Sequence, residues 1–318
     1  MRRPRKRLTI FVLNKKPQNN LQVTKNCVSD TTKAIAHSSQ NVNSVISAAN
    51  VGDNTCKFAA LDHNRTRDYV YQLGKSPINL TSLSKFLSFY PNKSDSIELL
   101  KGFQQGFSLN YQGLRLPTDA NNLPSARKYP YILQDKIDKD VEAGRIAGPF
   151  VSRPLPTLRI SPLGLVPKKD GDFRIIHHLS YPALSSVNDF IDESSTSLKY
   201  SSIDDAVEMI QSLGKGAKLG ISDIKKAFML LPVWAGNFDL LGFRIKDKFY
   251  FDQCLPIGAS ISCALFEKFS TFIQLSVEYE SDNKPSILHY LETFYLGVNL
   301  KLLSVRRQCI NLSRFVPL

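Results

Sequence analysis

The stretch LGISDIKKAF (residues 219–228) decides the fold, because it places an acid, Asp223, at the end of an apolar run. Such a run predicts a strand that ends at this acid. A second acid, Glu292, stands in the aromatic and apolar stretch ILHYLETFY (287–295), which predicts two short strands around a hairpin tip. Between the two acids, LPIG (255–258) opens a predicted helix. This order of elements predicts two acids that meet on adjacent strands.

The chain has 318 residues, a hydrophobic fraction of 42% and a net charge of +13. The hydrophobic fraction is typical of a protein with a buried core. The positive charge favours a polyanionic partner, with nucleic acid first and an acidic membrane surface second. The alternative is a protein that is basic without such a partner. The cluster Arg2–Arg7 is a nuclear address, a nucleic-acid arm or a solvated tail.

The five cysteines form no Cys-x-x-Cys pair, which argues against a disulfide framework or a zinc site. We therefore expect a reducing, intracellular location, nuclear or cytoplasmic. No apolar run is long enough to cross a bilayer, so no membrane partner is expected. His177 and His178 are adjacent on a predicted strand and point to opposite faces, which favours a structural role over a shared metal.

The composition divides the chain into four regions. Residues 1–78 are basic and polar and predict disorder. Residues 79–147 predict a helical lead-in, and residues 148–297 predict strands mixed with helices. Residues 298–318 form a tail of different character. Because helices and strands mix without a regular βαβ period, the predicted class is α+β.

The lead-in predicts three helices and an extended connector. The first carries apolar residues from Leu80 to Leu87 at helical spacing, and the second is capped by Asp95, with Gly106 near its end. The third runs from Tyr131 to Val141 and is stopped by Gly144. Residues 108–128 contain two prolines and predict the connector.

The central region predicts two hairpins and a capped helix. Asp-Gly between two apolar runs predicts a hairpin turn over 168–171. Ser202 and Asp205 have the spacing of a capping box, followed by an apolar stripe. A further strand pair, Leu240–Ile245 and Phe249–Phe251, surrounds Lys246-Asp247.

The two acids indicate divalent-cation chemistry. Nucleotidyl transfer needs two cations about 4 Å apart, held by hard oxygen ligands on rigid strands. Asp223 and Glu292 have the right chemistry for this role. Taken singly, Asp223 only ends a strand and Glu292 is only a solvated hairpin residue. Their order with the surrounding segments favours the metal site.

Other residues have the chemistry of a nucleotide site. Lys168 and Lys169 lie in the predicted hairpin turn, and Arg174 follows on its return strand, a pattern suited to clamping phosphates. The alternative is an ordinary charged turn. If Asp223 holds the metal, Phe228, five residues later, would lie under the sugar, where a bulky ring would exclude a 2′-hydroxyl. The alternative for Phe228 is a place in the core.

Together these segments resemble the fingers and palm of a reverse transcriptase, in particular those of DIRS-type, tyrosine-recombinase retrotransposons. The resemblance covers about residues 80–297. It implies a polymerase fingers–palm fold with a ferredoxin-like palm sheet and helices on one face. The matching segments are SPLGLVPKKDGDFRIIHHLSYP, SSVNDFI, YSSIDDAVEMIQSLGKGAKLGISDIKKAFMLLPV, LLGFRIKDKFYFDQCLPIGASISCALFEKFSTF and HYLETFYLG, with NLPSARKYP and EAGRIAGPF upstream.

The resemblance also implies a metal site. Asp223 matches the first metal-binding aspartate, Ile224 lends a backbone carbonyl, and Glu292 stands at the second catalytic position. The implied cofactor is Mg²⁺ or Mn²⁺. The implied partners are an RNA or DNA template-primer and deoxynucleoside triphosphates, with the oligomeric state left open. The segment that supports nucleotide and template is matched by Leu255, Pro256, Ile257 and Gly258.

The same resemblance assigns the contacts to the nucleotide. Lys168 and Arg174 match the triphosphate contacts of the fingers. Lys226 and Ala227 offer backbone N–H groups to the triphosphate. Phe228 matches the position that selects the sugar.

The chain departs from the family in two places. The family has Tyr-x-Asp-Asp at the hairpin, whereas this chain has Tyr290-Leu291-Glu292-Thr293. Glutamate keeps the charge but adds a methylene, and threonine removes a charge. The likeness also stops at Gly297, and the tail 298–318 has no counterpart of the thumb. The resemblance therefore implies a truncated fingers–palm with impaired polymerase activity.

Two alternatives remain beside the polymerase. One is a non-catalytic, basic nucleic-acid-binding relic of a retroelement, which the net charge of +13 favours. The other is a fragment that folds poorly because surface meant for the thumb is left bare.

Overall fold

The computed structural model describes residues 69–280 and 286–298, which lie within the unit His63–Leu318. The N-terminal region up to residue 68 and the tail from residue 299, including the arm Arg2–Arg7, lie outside the described residues. In the described part of the chain, no helix combines the length and apolar character needed to cross a bilayer.

The strands form three small antiparallel sheets, so the predicted mixed α+β class is confirmed. The sheets have the orders β1-β6-β5, β2-β3 and β4-β8-β7. Their strands are β1 (Ile146–Phe150), β2 (Leu163–Pro167), β3 (Phe173–His177), β4 (Lys218–Asp223), β5 (Gly242–Ile245), β6 (Lys248–Asp252), β7 (Ser286–Tyr290) and β8 (Thr293–Val298).

Six α-helices surround these sheets in the described ranges. They are α1 (Leu80–Phe89), α2 (Lys93–Gln105), α3 (Pro124–Lys128), α4 (Pro130–Glu142), α5 (Ile203–Leu213) and α6 (Ser262–Glu280). Short 3-10 helices cover Asn188–Phe190, Glu193–Ser195, Ala227–Leu230 and Ala235–Leu240.

Local side-chain bonds explain where the helices begin. The predicted capping box of α5 is confirmed, because Ser202 and Asp205 each accept from the other's backbone N–H. For α2 the predicted cap was wrong. Asn92 is the N-cap and accepts from the Asp95 N–H, because an amide oxygen at this position reaches the third helical residue. The helix therefore begins three residues earlier.

Three further boundaries differ from the sequence predictions. The connector 108–128 ends in the short helix α3, which begins at a proline that suits the first helical position. The strand predicted from Leu240 begins at Gly242, because Leu240 ends a 3-10 helix. Residues 69–78, predicted to be disordered, contribute Val70 and Ile78 to the core.

Two hydrophobic cores hold the elements together. The larger core is built around α6, whose Phe266, Phe269 and Phe272 are fully buried against α1, α2 and the sheet β4-β8-β7. The smaller core lies between α4 and the strands of the other two sheets. Each fully buried phenylalanine contributes about 1.5–3 kcal/mol of transfer free energy.

Helices contact both faces of the sheet β4-β8-β7. Phe294 and His289 point toward α6. Gly297 lies three positions along β8 from Phe294 and so faces the other way. There a Cβ on Gly297 would lie 2.3 Å from the Leu213 side chain of α5, so this helix packs closely against that face. The expectation of helices on one face therefore fails at the end of the sheet where α5 packs.

Candidate active site

The strand register places the predicted acids at one end of one sheet. Antiparallel pairing of β4 with β8 sets Asp223 opposite Thr293. The Ile224 N–H donates to the Glu292 carbonyl at 3.0 Å, which continues the ladder past the end of β4. The Thr293 hydroxyl donates to Asp223 Oδ1 at 3.1 Å. Asp223 and the segment Glu292–Thr293, which are about seventy positions apart, are therefore neighbours.

This end of the sheet is open to solvent. The Asp223 side chain is exposed and Glu292 is partly buried, whereas Ile224 beside them is buried. A buried strand end fixes the backbone while the carboxylate still reaches solvent, which is what a ligand site requires.

The oxygen donors at this position fit a hard divalent cation. Two carboxylates and a backbone carbonyl are the donors that Mg²⁺ accepts while it keeps several waters. The described residues contain no cluster of three or more His, Cys, Asp or Glu side chains arranged to hold a metal. This end of the sheet therefore offers two carboxylates and, opposite Asp223, the Thr293 hydroxyl.

Two aromatic residues and a thiol border Glu292. The rings of Tyr200 and Tyr290 lie 4.9 Å apart. Burial raises the pKa of Tyr200 to about 12. Burial also raises the pKa of the Cys263 thiol, and the nearby charges of Glu292 and Glu267 act in the same direction. Cys263 is therefore a neutral neighbour of the site.

The hairpin β2–β3 carries the predicted phosphate contacts. Lys168 lies in its turn, where its N–H donates to the Asp172 carbonyl at 2.7 Å and its ammonium lies 3.4 Å from the Asp172 carboxylate. Arg174 is exposed on β3 opposite Val166 and forms no ion pair with any described residue. Both cationic groups can reach solvent.

The segment after Asp223 makes a tight turn. Lys226 has a left-handed backbone with φ 51°, and its ammonium forms an ion pair with the buried carboxylate of Asp140 on α4. Ala227 is buried. Phe228 is partly buried and packs edge-to-face on Phe266 at 5.5 Å. Phe228 thus joins the core at its edge, as the structural alternative expected, while part of its ring remains accessible.

The segment Leu255–Gly258 docks the end of β3 onto the start of α6. The His177 N–H donates to the Ile257 carbonyl at 3.3 Å, and the Asn188 amide donates to the Gly258 carbonyl at 2.8 Å. Gly258 has φ 130°, and a Cβ there would lie 2.0 Å from the His177 carbonyl oxygen. Only glycine permits this approach. Leu255 and Pro256 are buried, Ile257 is partly buried and Gly258 is exposed.

The sequence did not predict a buried polar group beneath this segment. His177 Nδ1 lies 2.8 Å from Asp252 Oδ2, and Nε2 lies 3.2 Å from the Gly242 carbonyl oxygen. Burial raises the pKa of Asp252. With Asp140, this pair lines a small cavity of about 30 Å³. No local signal identifies Asp252, because its partner lies 75 positions away.

Comparison with solved structures gives coarse likenesses, among them two forms of one viral protein. No protein-family model matches the chain, and no curated protein is significantly similar to it. Native protease-reverse transcriptase of prototype foamy virus aligns with 71% of this chain at 17% identity and a TM-score of 0.42. A CSH mutant of that protein aligns with 72% at 18% identity and a TM-score of 0.44. The chain spans about 30% of the length of these solved chains.

Proposed function

We propose that this chain is the fingers and palm of an RNA-directed DNA polymerase from a DIRS-type, tyrosine-recombinase retrotransposon, with reduced activity. The observation that supports the proposal is the meeting of Asp223 with Glu292 and Thr293 at the open end of the sheet β4-β8-β7. The order of the segments in the sequence supports interpreting this contact as a catalytic site, because each adjoining segment resembles the same family.

In this proposal the acids hold the cations, and other residues orient the nucleotide. When bound, a pair of divalent cations would supply activation of the attacking hydroxyl and neutralisation of charge on the leaving pyrophosphate. Asp223 and Glu292 would hold the metal together with the Ile224 carbonyl. Lys168 and Arg174 bind the triphosphate from the β2–β3 hairpin.

The hairpin residues explain the reduced activity. The methylene that Glu292 adds displaces its oxygens by about 1 Å, and a shift of this size costs roughly a hundredfold in rate. Thr293 contributes no charge, and its hydroxyl donates a hydrogen bond to one carboxylate oxygen of Asp223. Both changes weaken the hold on a cation pair without altering the fold.

Primer extension on a poly-rA template with Mg²⁺ or Mn²⁺ tests the proposal. We expect slow extension by the natural chain and roughly hundredfold faster extension by Glu292→Asp with Thr293→Asp. Adding Asp223→Asn to that variant should abolish extension, whereas the control Asp247→Asn, an exposed acid in the β5–β6 turn, should not. A restored variant that extends no primer, or extends equally well without Asp223, would refute the polymerase.

A second candidate function is nucleic-acid binding without catalysis. It is favoured by Thr293, a neutral residue that leaves Glu292 as the only charge of the Glu292–Thr293 pair and that bonds to Asp223, and by the net charge of +13. Affinity for an RNA–DNA duplex should then fall steeply with salt, because bound phosphates release counterions. Affinity that does not change with salt would exclude this candidate.

A further inference from the structure

Helix α6 presents a polar stripe to the β7–β8 hairpin. Glu267, Ser270 and Gln274 are spaced by three and four positions and therefore share one side of the helix. Most of the other buried side chains of α6 are aromatic or aliphatic, and the exceptions are Ser262 and Ser276. Polar groups in such surroundings are costly unless they are bonded, so their partners indicate what they hold in place.

Ser270 bonds directly to the hairpin tip. Its side chain is fully buried, and its hydroxyl donates to the Leu291 carbonyl at 2.8 Å. Leu291 has φ 49°, a left-handed conformation that costs a residue other than glycine about 1–3 kcal/mol unless its surroundings hold it. Leu291 directly precedes Glu292. The bond from Ser270 therefore fixes the backbone from which the Glu292 side chain projects.

His289 provides a second attachment on β7. Its Nδ1 lies 2.6 Å from Gln274 Oε1, and its Nε2 lies 2.9 Å from Glu267 Oε1. The Gln274 amide is itself oriented by donating to Glu278 at 3.0 Å. The imidazole also stacks on Phe294 with centroids 5.6 Å apart. The strand is thus attached to α6 two residues before Leu291.

Building on the proposed function, we propose that Ser270 and His289 are positioning residues for the candidate metal site. Together they tie the hairpin tip to α6, so that Glu292 and Thr293 stay beside Asp223. Neither residue contacts the site itself: Ser270 acts through the Leu291 carbonyl and His289 acts through β7. The bond from Thr293 to Asp223 depends on this attachment.

The variant Ser270→Ala tests the proposal, with Thr271→Ala as the matched control. Thr271 is the next residue of α6, and its hydroxyl bonds only to the Glu267 carbonyl of its own helix at 2.9 Å. Both variants remove one hydroxyl from the same helix. Two measurements are made on each: hydrogen exchange in a peptide covering 286–298, and a Tb³⁺ titration followed by emission sensitised through Tyr290.

We expect Ser270→Ala to exchange faster in this peptide and to bind Tb³⁺ about tenfold or more weakly, since outer-shell partners of metal ligands contribute 10–100-fold to affinity. Thr271→Ala should match the natural chain in both measurements. If Ser270→Ala does not melt cooperatively, Gln274→Met, which removes the acceptor for His289 Nδ1, is judged by the same criteria. Unchanged exchange in the folded variant would overturn the proposal.

The two measurements separate this inference from the proposed function. If Asp223→Asn binds Tb³⁺ as well as the natural chain does, the metal site fails, and hydrogen exchange still decides whether α6 holds the hairpin. If Asp223→Asn loses Tb³⁺ binding while Ser270→Ala keeps both affinity and exchange, the metal site stands and the positioning role fails.

Discussion

Asp140 and Asp172 each bind two cationic side chains, and they differ in burial. Asp140, near the end of α4, pairs with Arg145 and Lys226 and has a side chain that is 6% exposed. Asp172, in the β2–β3 turn, pairs with two lysines and is 50% exposed. The chemistry is the same, but water competes only for the second acid. The ion pairs of Asp140 are therefore structural, whereas those of Asp172 can exchange with solvent or with another anion.

The difference separates the roles of two lysines that the resemblance assigns to the nucleotide. The ammonium of Lys226 is bound to a buried carboxylate, so this residue is left to act through its backbone, as the resemblance implies. The two lysines are similarly exposed, 40% for Lys168 and 49% for Lys226, so the difference lies in their acids. The ammonium of Lys168 lies 3.4 Å from the exposed Asp172 carboxylate, a contact that a phosphate can replace. The comparison thus predicts a structural lysine and a ligand-binding lysine.

The largest expected effect is on stability at Asp140. Asp140→Asn removes the buried charge that Arg145 and Lys226 bind, and we expect it to lower the free energy of unfolding by about 1.5–3 kcal/mol through the loss of hydrogen bonds to a charged group. Urea denaturation measures this loss. The control is Asp138→Asn, an exposed acid on the same helix, which should change stability by less than about 0.5 kcal/mol. Equally small losses of stability for Asp140→Asn and Asp138→Asn would contradict a structural role for the ion pairs of Asp140.

The second prediction concerns nucleotide affinity. In the variant with Glu292→Asp and Thr293→Asp, Lys168→Ala should raise the KM for the deoxynucleotide roughly tenfold, because it removes one charge-assisted hydrogen bond. Lys226→Met should change KM by less than about threefold, since the Lys226 ammonium is paired with Asp140 and not with the nucleotide. Steady-state primer extension measures both. A larger rise in KM for Lys226→Met than for Lys168→Ala would reverse the assignment.

The smallest expected effect is the pH response of Asp172. The hydrogen bond from Lys136, followed by the Phe173 N–H, lowers the pKa of this carboxyl from 3.8 to about 2. Because the folded pKa lies below the unfolded one, any stabilisation is present above pH 4 and is lost as pH falls toward 2. Carbon NMR of the Asp172 carboxyl should show titration near pH 2. Titration near pH 4 would mean that the lysines do not bind it.

Local signals predicted the elements of the site well. The capping box at Ser202 identified the start of α5, and Asp-Gly identified the β2–β3 turn. The apolar run that ends at Asp223 gave the last residue of β4. Each of these signals lies within a few residues of the feature it determines, so a single sequence contains it.

The supports of the site were not predictable in the same way. Lys226 and Asp140 are 86 positions apart, and Ser270 and Leu291 are 21 apart. Nothing near either residue of a pair indicates its partner, because the contact exists only after the sheets and α6 have packed. The single available signal was the polar stripe on α6, which is unusual in a helix so rich in phenylalanine.

The most direct test is a crystal structure of the chain soaked in Mn²⁺, with anomalous scattering used to locate the ion. The account predicts a Mn²⁺ peak coordinated by carboxylate oxygens of both Asp223 and Glu292, at the end of β4 beside the β7–β8 tip. A peak elsewhere, or one bound by only one of these two acids, would contradict it.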